Sequence, residues 1–343
     1  MAHARRRRRP LALIALAVAV VVTTAATAAG AAAPGAKQQT DLSGVTLHVG
    51  DQLQILRTQL AAAGQDKNVP YTIDWSTFVG GPAVLAAQTG GSVDVGFMAE
   101  TPLVFAQAAG NPVKVVAASR VADPKTSSFA IVVKPDSDIT KLSQLKGKKV
   151  GYSSGTITQY FLLNALKKAD LEFSDIDAVN FTGLSGQTAF ENGDIDAATT
   201  SDPFLSGLLA DKKARILTTG AGLTPGFTYI VARDDALKDK KTSAAISDFV
   251  TRVARAQKWA GAHPAEVAKS TEDTFKLSPE ASLAAAKRSH AEYLPIDDTV
   301  FKAQQAESDA FLGLGVIPKK LAATDLFDTR YNKAVAAVAA ESN

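Results

Sequence analysis

The sequence contains a weak internal repeat, with an offset of about one hundred residues between its two copies. LHVGDQLQILRTQLAAAG, which starts at Leu47, aligns with KKVGYSSGTITQYFLLNALKKA, which starts at Lys148. Further matched pairs are Val49-Gly50 with Val150-Gly151, Phe78 with Phe181, Asp94 with Asp196, and Pro102 with Pro203. Two copies of one unit constrain the fold strongly, because each copy should form the same supersecondary structure.

Each copy alternates strand-like and helix-like segments, a pattern typical of a mainly parallel sheet covered by helices. The sequence therefore predicts an α/β fold of two lobes, joined by two crossing strands at SSFAIVVKPDS and GFTYIVARDD. We place lobe I at 42–125 and 230–343, and lobe II at 126–229. From Ser243 onward, apolar residues recur at helical spacing, and we expect these helices to pack on lobe I as scaffold.

The first 36 residues have the pattern of an export signal. Arg5–Arg9 is basic, Leu11–Val22 is apolar, and the alanine-rich run to Ala36 offers several small-residue cleavage sites. We predict that residues 1–36 are removed, which leaves a soluble protein in the periplasm or at the cell exterior. An uncleaved membrane anchor is the alternative, and either the Sec or the twin-arginine route is compatible with the arginine run.

The composition excludes several classes of function. The chain has no cysteine, so disulfides, thiolate nucleophiles and cysteine-ligated metals are ruled out. Loss of Arg5–Arg9 would change the formal net charge from +3 to −2, which argues against nucleic acid as a partner. No metalloprotease, Walker or dinucleotide-binding motif is present, so we expect no metal and no cofactor.

The stretch Gly151-Tyr152-Ser153-Ser154-Gly155 has two competing interpretations. It matches the Gly-x-Ser-x-Gly elbow of serine hydrolases, in which Ser153 would be the nucleophile. It also suits a helix N-terminus that binds an anion through backbone N–H groups. A hydrolase needs a histidine base, and only His263 and His290 follow, in the helical C-terminal third. We favour the anion clamp and keep a secreted serine hydrolase as the alternative.

Five predicted helix starts share a pattern of small or capping residues. In open α/β sheets, ligands bind beyond the carboxyl ends of the strands, where the following helices begin. The five loops are Gly50-Asp51-Gln52, Gly80-Gly81-Pro82, Glu100-Thr101-Pro102, Gly155-Thr156 and Ser201-Asp202-Pro203. None contains lysine or arginine, so we predict a small anion held by neutral donors at helix N-termini. Ordinary capping is the alternative explanation for each single loop.

The order and spacing of several segments resemble the solute-binding proteins of ABC importers for aliphatic sulfonates, with nitrate- and taurine-binding relatives. The resemblance covers essentially the whole mature chain. It is carried by VGDQ, GGPAVLAAQTGGSVDVG, LKGKKVGYSSGTITQYFLLNALKKADL, ENGDIDAATTSDPF and LTPGFTYIVA. It implies a two-lobed periplasmic-binding-protein-like fold of type II, hinge closure on the solute, and delivery by a monomer to a membrane permease with its ATPase. It also implies a protein that is not an enzyme.

The sequence departs from the family pattern at the predicted cleft. Ser201-Asp202-Pro203-Phe204 stands where relatives commonly have Trp-Asp-Pro-Tyr, and Phe97-Met98-Ala99-Glu100 replaces a turn rich in glycine and aspartate. Leu53-Gln54-Ile55 stands where relatives often carry Lys-Gly. These departures leave the identity of the solute open.

We predict a ligand-binding site made from the cleft loops and the start of the last crossing strand. The residues are Asp51, Gln52, Gly80, Gly81, Glu100, Thr101, Gly155, Thr156, Ile157, Thr158, Ser201, Asp202, Gly226 and Phe227. The nearby apolar side chains indicate an organosulfonate with an apolar alkyl or aryl tail, and they are Phe97, Met98, Ile157, Phe204 and Phe227. A buried tail methylene would contribute ~0.8 kcal/mol. Glu100 and Asp202 would oppose an anion if they faced the cleft, so taurine or nitrate binding remains the alternative.

Overall fold

The computed structural model describes residues 40–181 and 185–341. The predicted export signal lies outside the described residues. In chain order, the strands are β1 (Thr46–Gln52), β2 (Thr72–Phe78), β3 (Val95–Ala99), β4 (Val113–Val121), β5 (Phe129–Val133), β6 (Lys149–Tyr152), β7 (Asp177–Asn180), β8 (Ala197–Ser201), β9 (Arg215–Thr219), β10 (Phe227–Arg233) and β11 (Ala291–Leu294).

Helices follow most of the strands. They are α1 (Ile55–Ala62), α2 (Gly81–Thr89), α3 (Thr101–Ala109), α4 (Ile157–Lys168), α5 (Ser185–Asn192), α6 (Phe204–Ala210), α7 (Asp234–Lys238), α8 (Lys240–Ala262), α9 (Pro264–Phe275), α10 (Pro279–Arg288), α11 (Asp298–Gly313) and α12 (Asn332–Ala340). Short 3-10 helices lie at Leu142–Leu145, Phe173–Asp175, Ala323–Leu326 and Thr329–Tyr331. Within the described ranges, no helix is both long enough and apolar enough to cross a bilayer.

The strands form two sheets with the same internal order. The first sheet runs β11-β4-β10-β3-β1-β2, and the second runs β7-β6-β8-β5-β9. Strands β1 to β4 all run in one direction, and β10 inserts antiparallel between β3 and β4. In the second sheet β6 to β9 run in one direction, and β5 inserts antiparallel between β8 and β9. The predicted α/β fold of two mainly parallel sheets, linked by two crossing strands, is confirmed.

The repeat is visible in matched contacts at β1 and β6, the first strands of the two repeat copies. A Cβ added to Gly50 in β1 would lie 3.1 Å from Val93 Cγ1, and one added to Gly151 in β6 would lie 2.6 Å from Ile195 Cδ1. Val93 and Ile195 hold equivalent positions just before β3 and β8. Glycine is therefore required twice for the same reason, since an apolar side chain packs directly on the strand backbone.

The aligned aspartates Asp94 and Asp196 make matching hydrogen bonds to the backbone. Oδ2 of Asp94 accepts a hydrogen bond from the backbone N–H of His48 at 3.1 Å. Oδ2 of Asp196 accepts one from the backbone N–H of Lys149 at 2.8 Å. The Asp94 carboxylate thus fixes the register between β1 and β3, and the Asp196 carboxylate fixes the register between β6 and β8.

The C-terminal helices do more than cover the first sheet. Helix α8 packs on that sheet through fully buried residues such as Phe249 and Val250, as expected. Phe275, at the end of α9, packs on Phe204 of α6 beside the second sheet, with ring centroids 6.3 Å apart. Phe311 of α11 joins a buried cluster with residues of α3 and α4. The expectation that these helices pack on lobe I alone is incomplete, because their apolar faces reach elements of both sheets.

Candidate ligand-binding cleft

A cleft with two chambers lies where the strands of both sheets end. The helix-end chamber, of about 420 Å³, is lined by the starts of α2 and α4: Gly80, Gly81, Pro82, Thr156, Ile157 and Thr158. The arginine chamber, of about 340 Å³, is lined by Phe97, Arg120, Phe129, Arg288 and Tyr293 among others. Five residues border both chambers, and we call this shared border the neck: Gln52, Leu53, Ala99, Ile157 and Ser201.

Two helices present uncapped N-termini to the helix-end chamber. Helix α2 has Gly80 at its N-cap, with φ 84°, and so has no capping side chain. Helix α4 has Thr156 at its N-cap, but the Thr156 hydroxyl donates to Ser153 O at 2.8 Å and does not cap the helix. In the described part of the chain, the backbone N–H groups of Ile157 and Thr158 have no hydrogen-bond acceptor. These N–H groups are free to bind a ligand.

The two uncapped helix starts approach each other across the cleft. Gly155 adopts φ 71°, a left-handed conformation that suits glycine, and a Cβ added there would lie 3.8 Å from Pro82 Cγ. The backbone N–H of Gly155 donates to Gln159 Oε1 at 2.8 Å, which fixes the loop before α4. An anion between α2 and α4 would therefore meet the positive ends of two helix dipoles.

Helices α1 and α6 are closed by their own aspartates. Asp51 accepts from the backbone N–H groups of Leu56 at 3.0 Å and Arg57 at 2.9 Å, and it lines neither chamber. Burial raises the pKa of Asp51 to about 6. Asp202 accepts from the N–H and the hydroxyl of Ser206, at 3.1 and 2.6 Å. The geometry does not support the predicted ligand contact Asp51, because its carboxylate caps α1.

Glu100 and Thr101, at the start of α3, face the protein interior. Thr101 Oγ1 donates to Glu307 of α11, and both glutamates are almost fully buried. Burial raises the pKa of Glu100 to about 8, although the nearby backbone N–H groups of Phe227 and Gly226 oppose the rise. Among the described residues, neither carboxyl oxygen of Glu100 has a partner of good hydrogen-bond geometry. Both side chains pack between α3 and α11 and line neither chamber, so the geometry does not support the predicted ligand contacts Glu100 and Thr101.

The predicted apolar contacts divide between the cleft and the core. Ile157 and Phe204 line the helix-end chamber, and Phe97 lines the arginine chamber. Met98 and Phe227 are buried in the core of the first sheet, at 0% and 3% exposure, and line neither chamber. Met98 follows Phe97 in a strand, so its side chain points to the opposite face of the sheet. The geometry therefore does not support the predicted tail contacts Met98 and Phe227.

The structure brings most of the remaining predicted residues together. Those that line the cleft are Gln52, Gly80, Gly81, Thr156, Ile157, Thr158, Ser201, Asp202 and Gly226. Gln52 donates from Nε2 to Phe97 O at 2.6 Å, which holds the neck in shape. Two aromatic residues that the sequence did not predict as ligand contacts, Tyr152 and Phe181, also line the helix-end chamber.

The sequence also yielded no prediction for two arginines that line the cleft, Arg120 and Arg288. The five helix-start loops have no cation, and no charged residue lines the helix-end chamber within the described ranges. Arg120 enters the arginine chamber from the carboxyl end of β4. The rule that ligands bind beyond the carboxyl ends of strands in open sheets could have identified it. Arg288 enters from α10, and the sequence carries no signal that this helix reaches the cleft.

Ser153 lacks the partners of a catalytic serine. It lines the helix-end chamber, but no histidine of the described residues lines that chamber. His263 Nδ1 bonds Trp259 O at 2.8 Å, and His290 packs against Gly261. A serine without a general base is a poor nucleophile, so the geometry does not support the hydrolase alternative.

Comparison with known proteins identifies similar sequences and structures. The family model described as NMT1/THI5 like matches residues 80–267. A protein of Escherichia coli (strain K12) that is named for aliphatic sulfonate binding is 30% identical over 285 residues, which cover 80% of this chain and 86% of that protein.

Two solved structures share the fold over most of their length. The alkanesulfonate-binding protein SsuA from Xanthomonas axonopodis pv. citri, bound to MOPS, has a TM-score of 0.76 and 26% identity, covering 83% of this chain and 99% of its own. The periplasmic aliphatic sulphonate binding protein SsuA from Escherichia coli has a TM-score of 0.71 and 27% identity, covering 83% and 98%.

Proposed function

The chain belongs to the NMT1/THI5-like family, and on that premise we propose that it is the solute-binding protein of an ABC importer for organosulfonates. The observation that carries the proposal is the pair of uncapped N-termini, of α2 and α4, that meet in an uncharged chamber. The similar proteins from Escherichia coli and Xanthomonas, which are named for aliphatic or alkane sulfonates, support the same solute class.

The helix-end chamber suits a sulfonate head group. A sulfonate carries one negative charge and accepts hydrogen bonds through three oxygens. The backbone N–H groups of Gly81, Ile157 and Thr158 supply hydrogen-bond donors, and the helix dipoles supply a positive potential. Neither contribution involves a titratable group. The hydroxyls of Thr156 and Thr158, which lie 2.8 Å apart, can reorient to donate as well.

The same chamber can bury an apolar tail next to the head group. Its lining includes the partly exposed residues Tyr152, Phe181 and Phe204. Because each buried methylene contributes ~0.8 kcal/mol, a longer alkyl or aryl tail should bind more tightly until the walls are covered. Taurine would bury an ammonium group there without a carboxylate in the chamber, which disfavours it.

The two sheets define the two lobes in this proposal, with lobe I at 42–125 and 230–343 and lobe II at 126–229. A solute that contacts α2 from one lobe and α4 from the other favours the closed form, because it binds that form better. Small-angle scattering with saturating butanesulfonate should show a smaller radius of gyration. An unchanged radius, despite binding, would contradict hinge closure.

The protein works outside the cytoplasm in this proposal, as a soluble monomer that delivers the solute to a separate permease and its ATPase. The basic, apolar and small-residue pattern of residues 1–36 supports export. Intact-mass analysis of the exported product should show a chain without Arg5–Arg9. A full-length chain in the membrane fraction would show that the segment is an anchor.

Calorimetry tests the proposed solute class. We expect affinity to rise from methane- to butane- to octanesulfonate, with benzenesulfonate also bound, and to be weakest for nitrate. Taurine and sulfate complete the series. Tightest binding of taurine or nitrate, or no binding of any sulfonate, would overturn the assignment. Labelling of Ser153 by a fluorophosphonate, lost in Ser153→Ala, would instead support the hydrolase.

A further inference from the structure

Arg120 is held at the edge of the arginine chamber by contacts that leave part of its guanidinium unused. Its Nε donates to Pro225 O at 3.1 Å, and its Cζ lies 5.1 Å from the centre of the Phe227 ring. The carbonyl and the ring fix the plane of the group. In the described structure, the two terminal nitrogens of Arg120 make no hydrogen bond to the protein. They are therefore available to a ligand.

The charges that line the arginine chamber do not balance. Within the described ranges, its charged residues are Arg120, Arg288 and Asp202. Arg288 and Asp202 neutralise each other, because Nε and Nη2 of Arg288 bond the two carboxylate oxygens of Asp202 at 2.8 and 3.0 Å. Arg120 remains as one uncompensated positive charge.

Neighbouring carboxyl groups do not neutralise Arg120 either. Glu292 lies opposite Arg120 in the pairing of β11 with β4, yet no described carboxylate is within 4.0 Å of the Arg120 guanidinium. Glu100 is buried nearby, and burial raises its pKa to about 8 although the charge of Arg120 opposes the rise, so burial favours the neutral carboxyl. The positive charge of Arg120 thus faces the chamber.

The two chambers adjoin at the uncharged neck. Leu53, Ala99 and Ile157 give the neck an apolar lining, and Gln52 and Ser201 complete it. The alkyl chain of a solute whose sulfonate lies between α2 and α4 would have to cross this neck to reach Arg120. The far end of that solute then lies in the chamber that holds Arg120.

We propose that Arg120 is a specificity-determining residue that binds an anionic group at the far end of the solute. The inference rests on the proposed function, and it narrows the solute class to sulfonates that carry a carboxylate or a second sulfonate at the other end of an alkyl chain. A guanidinium binds a carboxylate through two parallel hydrogen bonds, whereas a terminal methyl group offers it no acceptor.

Calorimetry with matched probes tests this inference. The probes are pentane-1-sulfonate, 5-sulfopentanoate, which replaces the terminal methyl by a carboxylate, and the primary amide of 5-sulfopentanoate. We expect the wild-type protein to bind 5-sulfopentanoate about tenfold more tightly than pentane-1-sulfonate at low salt, with the amide between them. The preference should decrease as salt screens the charge.

Variants distinguish a specific effect of Arg120 from a general effect of the protein's positive charge. Arg120→Met should remove the preference for 5-sulfopentanoate, and Arg120→Lys should keep part of it. Arg57→Met is the matched control, since Arg57 is exposed and lines neither chamber, and it should keep the full preference. If pentane-1-sulfonate binds and the wild type shows no preference, or Arg120→Met retains it, this inference alone is wrong. If none of the sulfonates binds, the proposed function itself is wrong.

Discussion

Arg288 connects helix α10 to the loop before α6 through a largely buried ion pair. Its guanidinium bonds Asp202 at 2.8 and 3.0 Å and Ser206 Oγ at 2.6 Å. The side chain of Asp202 is 2% exposed, and that of Arg288 is 24% exposed. Arg288→Met removes the charge and keeps most of the apolar stem, so it isolates the loss of these hydrogen bonds.

The expected loss follows from the carboxylate that the substitution leaves behind. Removing one partner of a buried ion pair costs about 3–5 kcal/mol, because the other charge remains buried and unpaired. Here Asp202 keeps two bonds from Ser206, at 3.1 and 2.6 Å, and Arg288 is partly solvated. We therefore expect Arg288→Met to lower the free energy of unfolding by about 2–3 kcal/mol.

Urea unfolding of the variants, followed by tryptophan fluorescence and circular dichroism, measures this loss. Arg288→Lys should lie between the wild type and Arg288→Met, since lysine keeps the charge but cannot bind both oxygens in a fork. In the double variant with Asp202→Asn, the two losses should not add, because both remove the same interaction. A loss below about 0.5 kcal/mol for Arg288→Met, or full additivity, would refute the reasoning.

Three further predictions concern the cleft and the core. Ile157→Pro removes one N–H at the first position of α4, where proline is tolerated, and should weaken butanesulfonate binding about tenfold in calorimetry; Ile157→Val, which keeps the N–H, should change it less. Gly96→Ala should cost about 1–3 kcal/mol in urea unfolding, because its Cβ would lie 2.6 Å from Val84 Cγ1, whereas Gly313→Ala, with nothing within 4 Å, should not destabilise. Because the pKa of Glu100 is raised, the folded protein holds a proton that the unfolded chain releases above about pH 4.5. The free energy of unfolding should therefore fall as pH rises from about 4.5 to about 8. The fall should be shallower in Glu100→Gln. The first prediction is contradicted if Ile157→Pro and Ile157→Val bind butanesulfonate equally well. The second is contradicted if Gly96→Ala is as stable as the wild type. The third is contradicted if the pH dependence of the unfolding free energy is unchanged in Glu100→Gln.

The sequence predicted the architecture well, because the repeat preserves local packing requirements. Gly50 and Gly151 align since each must admit an apolar side chain against its strand, and Asp94 and Asp196 align since each bonds the neighbouring strand. Such requirements depend on a few nearby residues and leave a readable pattern in the chain.

The sequence predicted the cleft less well, because a loop residue can cap a helix or face a ligand without any change in pattern. Asp51 and Thr156 both precede a helix, yet the carboxylate of Asp51 caps α1 while the hydroxyl of Thr156 leaves α4 open. Arg288 lies 86 residues from Asp202 in the chain, and only the packing of α10 on α6 brings them together. These outcomes depend on tertiary contacts that neither periodicity nor spacing records.

A crystal structure of the protein with butanesulfonate tests the central claim most directly. We expect the sulfonate oxygens to accept hydrogen bonds from the backbone N–H groups at the starts of α2 and α4, including those of Gly81 and Thr158, with the alkyl chain against Phe204. A sulfonate bound to the Arg120 guanidinium while both helix starts remain unoccupied, or bound outside the cleft, would contradict it.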